Sequence, residues 1–222
     1  MTRKLVIFDW DGTIMDSIDK IVNSLQLAAS SCGVDVPNAE QAKSIIGLSL
    51  DIAVQTLFPN HESKWQALSE AYKHQFKYLD STPTPLFENV EQVLAALKKS
   101  GVMLAVATGK SRAGLDRMME QSGLGHLFST SRTADEAQSK PHPQMLHDIL
   151  AELNIEAADA VMVGDTIIDM ELAANANIAA IGVTMGVDKR ERLASKHPIA
   201  VVDNYLELAA VLGLEHIETK LA

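Results

Sequence analysis

The feature that most constrains this chain is a set of short, unbroken apolar runs separated by helical patterns. Leu5–Phe8, Val102–Ala107, Ala160–Val163, Ile178–Val183 and Ala200–Val202 do not alternate in polarity and suit strands covered on both faces, as in a parallel sheet. Between them, Val90, Val93, Leu94 and Leu97 form a helical stripe, with Gly101 as a C-terminal stop. Met145, Leu146, Ile149, Leu150 and Leu153 form another, and Met170, Leu172, Ala173 and Ala174 mark a short third. This alternation, from about residue 86 onward, predicts an α/β fold: a Rossmann-like parallel sheet flanked by helices.

Residues 16–83 break the pattern. Ile18, Ile21, Val22, Leu25 and Ala29 form a helical stripe, as do Trp65, Leu68, Tyr72, Gln75, Phe76 and Leu79 and, less regularly, Ile52, Val54 and Leu57. No strand is evident there. The reading is an inserted all-helical domain, 16–83, with residues 1–15 and 84–222 forming the core domain. Pro83 and Pro85 keep the far boundary extended. The tail after Gly213 is polar and is expected to fray.

Composition narrows the function classes. The formal net charge of −10 and an aromatic content of 5% argue against a nucleic-acid partner, and the densest basic stretch, Lys189-Arg190-Glu191-Arg192, is interrupted by an acid. Cys32 is the single cysteine and has no internal disulfide partner, which fits a reducing compartment. The apolar run after Arg3-Lys4 stops at Asp9, and no stretch approaches the ~20 apolar residues of a membrane span. A cytoplasmic protein with no membrane partner is expected. Monomer and dimer stay open.

Four polar constellations lie just past strands or at helix starts. Phe8-Asp9-Trp10-Asp11-Gly12-Thr13 places two carboxylates one residue apart, a pair that needs a cation or a proton, although Asp and Gly are also common in turns. Thr108-Gly109-Lys110 offers a hydroxyl and free N–H groups to a phosphate, or is a plain cap in which Thr108 or Ser111 starts the next helix. Ser139-Lys140-Pro141-His142-Pro143 puts a lysine before a helix whose first turn Pro141 suits. Taken alone, that lysine is most simply solvated. Gly164-Asp165-Thr166-Ile167-Ile168-Asp169 again ends a strand in a carboxylate and adds another four residues on. Such oxygens suit Mg²⁺, or Asp165 caps the helix. The seven histidines show no zinc-ligand spacing, and His142 suits a helix start at the surface.

Together, in this order, DWDGT, TGK, SKPHP and GDTIID resemble the haloacid dehalogenase superfamily, in its phosphoglycolate-phosphatase-like branch with a helical cap. The resemblance covers about the whole chain. It implies a Mg²⁺-dependent phosphatase acting on a small phosphorylated metabolite. Asp9 would be the nucleophile that becomes an aspartyl phosphate, and Asp11 the general acid and base. Thr108 and the Gly109 N–H would bind phosphoryl oxygens, and Lys140 would neutralise them and orient Asp9. Mg²⁺ would be held by Asp9, the Asp11 carbonyl and Asp165, with Asp169 outside the ligand set, steadying it through a ligand or a water.

Related chemistries are weighed on the same residues. Asp11 stands where dehalogenases lack an acid and phosphonoacetaldehyde hydrolases carry a small residue. The loop Ile46-Gly47-Leu48-Ser49-Leu50-Asp51 has leucine at the Schiff-base lysine position of the latter, and no basic residue of the kind sugar-phosphate mutases carry there. Phosphotransferase, mutase, pyrophosphatase and a non-enzymatic binding module remain alternatives. Phosphoglycolate, a nucleoside monophosphate, a sugar phosphate and pyrophosphate remain open as substrates. Gly47-Leu48-Ser49 is a candidate loop dipping to the site, or a mere interhelix turn. Lys43, Lys110 and Arg112 are candidates to meet a substrate carboxylate, although solvated charge is the commoner use. Short interhelix spacings predict a small, shallow cap.

Overall fold

The computed structural model describes residues 3–214. β1 (Leu5–Phe8) is followed by four helices, α1 (Ile18–Ser31), α2 (Ala39–Lys43), α3 (Leu50–Leu57) and α4 (Trp65–His74), the last running into a π-helical stretch, Gln75–Leu79. The chain then alternates: α5 (Val90–Lys99), β2 (Met103–Ala107), α6 (Arg112–Ser122), β3 (Thr130–Arg132), α7 (Gln144–Leu153), β4 (Ala160–Gly164), α8 (Ile167–Asn175), β5 (Ala179–Val183), α9 (Arg190–Ala194), β6 (Ala200–Val202) and α10 (Tyr205–Val211). Among the described residues no helix is long and apolar enough to cross a membrane.

Among the described residues six strands form one parallel sheet in the order β3-β2-β1-β4-β5-β6. Both faces are covered, as unbroken apolar strands require. Val6 and Phe8 join a core with α5, α6 and α10, while Leu5 and Ile7 join one with α7 and α8. Strand register aligns the carboxyl ends. Phe8 sits opposite Val106 on one side and Val163 on the other, so the three central strands end flush. The strand order reverses beside β1, and such a point in an open sheet carries a crevice at the carboxyl ends.

α1 to α4 build apolar clusters of their own, centred on Ile21, Leu25, Ile45 and Phe76 and on Val54, Phe58 and Leu68. The two connections to the sheet run side by side: the Asp16 N–H donates to the Pro85 carbonyl at 2.8 Å, and Met15 bridges Leu86. Cys32 packs at the edge of the second cluster as a free thiol.

Several expectations need correction. β3 reads Thr-Ser-Arg, half-buried at the sheet edge, and carries no apolar run, so periodicity misses it. α2 is five residues with one buried side chain, too short to show a stripe, and is held by an Asn38–Gln41 capping box. Ile52 and Leu79, assigned to buried stripes, are 41% and 60% exposed. Pro143, not Pro141, stands at the start of α7, and Pro141 lies earlier, in the turn bearing Lys140. The tail after Gly213, predicted to fray, lies from residue 215 onward outside those described.

Candidate active site

Because β1, β2 and β4 end flush, Asp9, Thr108 and Asp165 emerge together at the carboxyl edge of the sheet. Asp9 extends the ladder by one bond, its N–H donating to the Val163 carbonyl, and its side chain is buried. Gly12, at φ +74°, turns the chain back, and its missing side chain leaves room for the Asp165 carboxylate. The Thr13 hydroxyl donates to Asp165 Oδ1 at 2.9 Å, and the Val187 N–H to Oδ2 at 2.8 Å.

Lys140 enters from the turn before α7. It is 1% exposed and therefore not the solvated lysine of the simplest sequence reading. Its ammonium lies 2.9 Å from Asp9 Oδ1 and donates to Asp169 Oδ1 at 2.8 Å. The Asp9 contact is an ion pair without hydrogen-bond alignment, which leaves that oxygen free of an aligned donor. Asp165 does not cap α8. Thr166 does, in a capping box with Asp169, whose Oδ2 accepts from the Thr166 hydroxyl at 2.7 Å. Asp169 thus touches Lys140 directly, and its two oxygens bind the cation on one side and the helix cap on the other.

Charge is badly balanced at this point. Asp9, Asp165 and Asp169 are buried with ligand oxygens within 4.8 Å of one another, against the single ammonium of Lys140. The Asp9 carboxyl is raised to about 7: burial first, then Asp169 and Asp11, outweigh the downward pull of Lys140. Asp165 is raised well above the usual carboxylate range, again by burial first and then by Asp169 and Asp9. For Lys140, burial opposes the charge, but Asp169 and Asp9 outweigh it and hold the ammonium protonated. A cluster of hard oxygens with surplus negative charge fits a divalent cation such as Mg²⁺.

Asp11 is held from both oxygens. Ser17 donates to Oδ1, and the Lys110 ammonium lies 2.9 Å from Oδ2. Lys110 is therefore not a solvated surface charge: it is largely buried and sits 4.9 Å above the centre of the Phe76 ring, which belongs to the inserted helices. Of the other two basic candidates, Arg112 is bound to Glu136, Asp116 and Ser131, and neither it nor Lys43 lines the cavity at the site. Ser111, rather than Thr108, caps α6. His142 is exposed and accepts the Gln144 N–H at the start of α7.

The Gly47-Leu48-Ser49 loop reaches the site. A Cβ on Gly109 would meet the Leu48 and Gly47 carbonyls, the latter at 2.7 Å, and one on Gly47 would contact Thr166. The Ser49 N–H donates to Ser139 Oγ at 2.9 Å. The loop therefore rests on three of the four constellations at once. Between it and the sheet lies a cavity of about 650 Å³ that includes Asp9, Asp11, Thr108, Gly109 and Lys110. The helices border a sizeable, half-open space.

Sequence reasoning did not find Thr13, Ser17, Gly186 or Asp188 as parts of the site. A Cβ on Gly186 would strike Asp165 and the Gly12 carbonyl, and buried Asp188 accepts the Ile167 N–H at 2.8 Å. Thr13 belongs to the first constellation but carried no role there, and Ser17 lies just beyond it, whereas the 186–188 loop follows a different strand and carries no local signal.

Comparison with known proteins agrees with this architecture. The sequence pattern described as "Haloacid dehalogenase-like hydrolase" matches residues 6–183. A Dickeya dadantii protein named "Probable phosphatase IndB" is 34% identical over 225 residues, spanning 99% of this chain and 96% of that protein. The phosphoglycolate phosphatase of Aliivibrio fischeri is 30% identical over 220 residues, spanning 95% and 97%. The crystal structure of a hydrolase from Pseudomonas syringae superposes with a TM-score of 0.85 at 20% identity, covering 95% of this chain and 97% of that one. With the sheet order, the flush strand ends and the four constellations in place, these matches show that the chain belongs to the haloacid dehalogenase-like hydrolase family.

Proposed function

We propose that this protein is a Mg²⁺-dependent phosphatase that hydrolyses a phosphate monoester of a small metabolite through an aspartyl phosphate on Asp9, in the manner of its phosphoglycolate phosphatase relatives. The observation that carries the reading is the buried contact of Lys140 with both Asp9 and Asp169, beside Asp165. A nucleophilic carboxylate, its counter-charge and a set of metal-type oxygens meet at one point. Residues 16–83 act as the cap, joined to the core through two connections that meet at the Met15–Leu86 bridge.

Asp9 attacks phosphorus, forming the acyl phosphate as the ester P–O bond breaks. Asp11 gives its proton to the leaving alkoxide, then takes one from the water that cleaves the acyl phosphate. Ser17 and Lys110 orient the Asp11 carboxylate, and the oxygen that carries the proton gives up its contact with one of them in that step. The Thr108 hydroxyl and the Gly109 N–H donate to phosphoryl oxygens, and Lys140 holds Asp9 in line. Asp169 holds Lys140, so the ammonium keeps its place when the phosphoryl charge arrives. Asp9 and Asp165, with the Asp11 carbonyl, would hold Mg²⁺, which supplies fixed positive charge for the spreading charge of phosphoryl transfer. The Gly47–Ser49 loop screens the site from bulk water.

The test is Asp9→Asn with p-nitrophenyl phosphate and a panel of metabolite phosphates in Mg²⁺. Turnover is lost with circular dichroism unchanged, and acid-quenched wild type carries one phosphoryl group on the peptide containing Asp9. A variant that still turns over at near wild-type rate, or a phosphoryl group on another residue, removes Asp9 as nucleophile. Product analysis in the presence of a second alcohol separates hydrolysis from transfer.

A further inference from the structure

We infer that the substrate's alcohol carries an extended apolar or aromatic body, larger than a two-carbon acid; the inference rests on the phosphatase reading and deepens it. The cavity of about 650 Å³, half open to solvent, lies within the range that takes drug-sized ligands, roughly 300–1,000 Å³, and a two-carbon phosphate ester fills little of it. Nor does this volume reflect a lifted cap. The Leu48 and Gly47 carbonyls already press on Gly109, and Ser49 is bonded to Ser139, so the space is what remains with the cap loop seated.

The chemistry of the walls points the same way. Beyond Asp9 and Asp11 the cavity is lined by Ile21, Ile45, Ile46, Leu48, Tyr72 and Phe76, carbon surfaces that reward burial of apolar substrate. Next to the nucleophile, a short acidic alcohol finds its nearest cation already taken. Lys110, the cation beside Asp11, is already paired with that carboxylate and covered by the Phe76 ring, so it is no free counter-charge for a substrate carboxylate. The cavity also includes both signs of charge, Lys73, Lys77 and Arg117 with Asp51, Glu70 and Asp135, and so demands no particular charge of the substrate body.

The test is a series of ethyl, butyl and hexyl phosphates with Mg²⁺. Their leaving groups are nearly equal in basicity, so the chemical step is constant and the slope reports the cavity. The expected result is a rise in kcat/KM of about threefold or more per methylene, with hexyl phosphate ahead of phosphoglycolate by about tenfold or more. Leu48→Ala is expected to lower the hexyl-to-ethyl ratio by about threefold or more. Competitive inhibition by ethyl- and hexylphosphonate gives the same comparison without turnover. A flat or falling series, a preference for phosphoglycolate, or a ratio indifferent to Leu48→Ala overturns the inference while leaving the phosphatase reading standing. Failure to hydrolyse any phosphate ester overturns both.

Discussion

Gly109→Ala is the most discriminating single change, because the new methyl group lands on backbone. Its Cβ would lie 2.7 Å from the Gly47 carbonyl oxygen and closer still to that of Leu48. Ordinary contact begins near 3.4 Å, so the cap loop must retreat by about 1 Å, since neither carbonyl is the end of a flexible side chain. The Gly109 N–H survives the substitution, so phosphoryl binding by that group is not itself removed. A displacement of about 1 Å at a catalytic site costs on the order of 100-fold in rate. Overpacking costs about 1–3 kcal/mol in stability. The assay is steady-state kcat/KM on the best substrate, with thermal melting of both proteins. The expected result is a loss of about 100-fold in kcat/KM with a cooperative, modestly lowered melt. A variant within about threefold of wild type, where a ~100-fold loss is expected from such a displacement, would show that the loop does not bear on Gly109 and would refute the seated-cap argument.

Lys140→Met leaves Asp9 and Asp169 buried without their ammonium. Urea denaturation at pH 7.5 without metal should show about 3–5 kcal/mol lost, and a loss under about 1 kcal/mol contradicts a buried pair that size. If Asp9 and Asp165 hold Mg²⁺, adding it at about 100 times its Kd stabilises the fold by about 2.7 kcal/mol. Thermal melts should show this increment erased in Asp165→Asn, and an equal increment in both proteins takes Asp165 out of the metal site. Asp80 accepts hydrogen bonds from Asn23, Ser24 and Thr82. Partial burial acts to raise its carboxyl, but the Thr82, Ser24 and Asn23 bonds prevail and hold it below the usual value. Its stabilisation is therefore present above the unfolded carboxyl pKa and is lost as pH falls through the lower folded value. Asp80→Ala should cost about 1–2 kcal/mol at neutral pH, and the gap to wild type should close in acid below that folded value. A gap that persists there, measured by urea melts across pH, assigns the loss to packing instead.

Much of this was legible locally. Leu5–Phe8 and Ala160–Val163 are unbroken apolar runs because both sheet faces are covered, so burial wrote itself into consecutive residues. Asp9, Thr108, Lys140 and Asp165 could be picked out because each lies just beyond a strand or just before a helix, where ligand crevices form. β3 could not, because an edge strand of Thr, Ser and Arg gains its order from pairing with β2 rather than from its own side chains. Lys110 looked like any solvated lysine until Phe76 and Asp11, from opposite sides of the cleft, enclosed it.

The sequence by itself determined where most strands and helices lie and which polar residues punctuate them, since apolar periodicity and turn chemistry are properties of neighbouring residues. Which charges meet was decided only in three dimensions. Lys140 could have stayed in water, and Asp169 could have met the site only through solvent. Parallel register of β1 with β2 and β4, and the seating of the cap loop, closed them around one point. Electrostatic energy depends on distance and on exclusion of water, and neither exists until residues far apart in the chain are brought together.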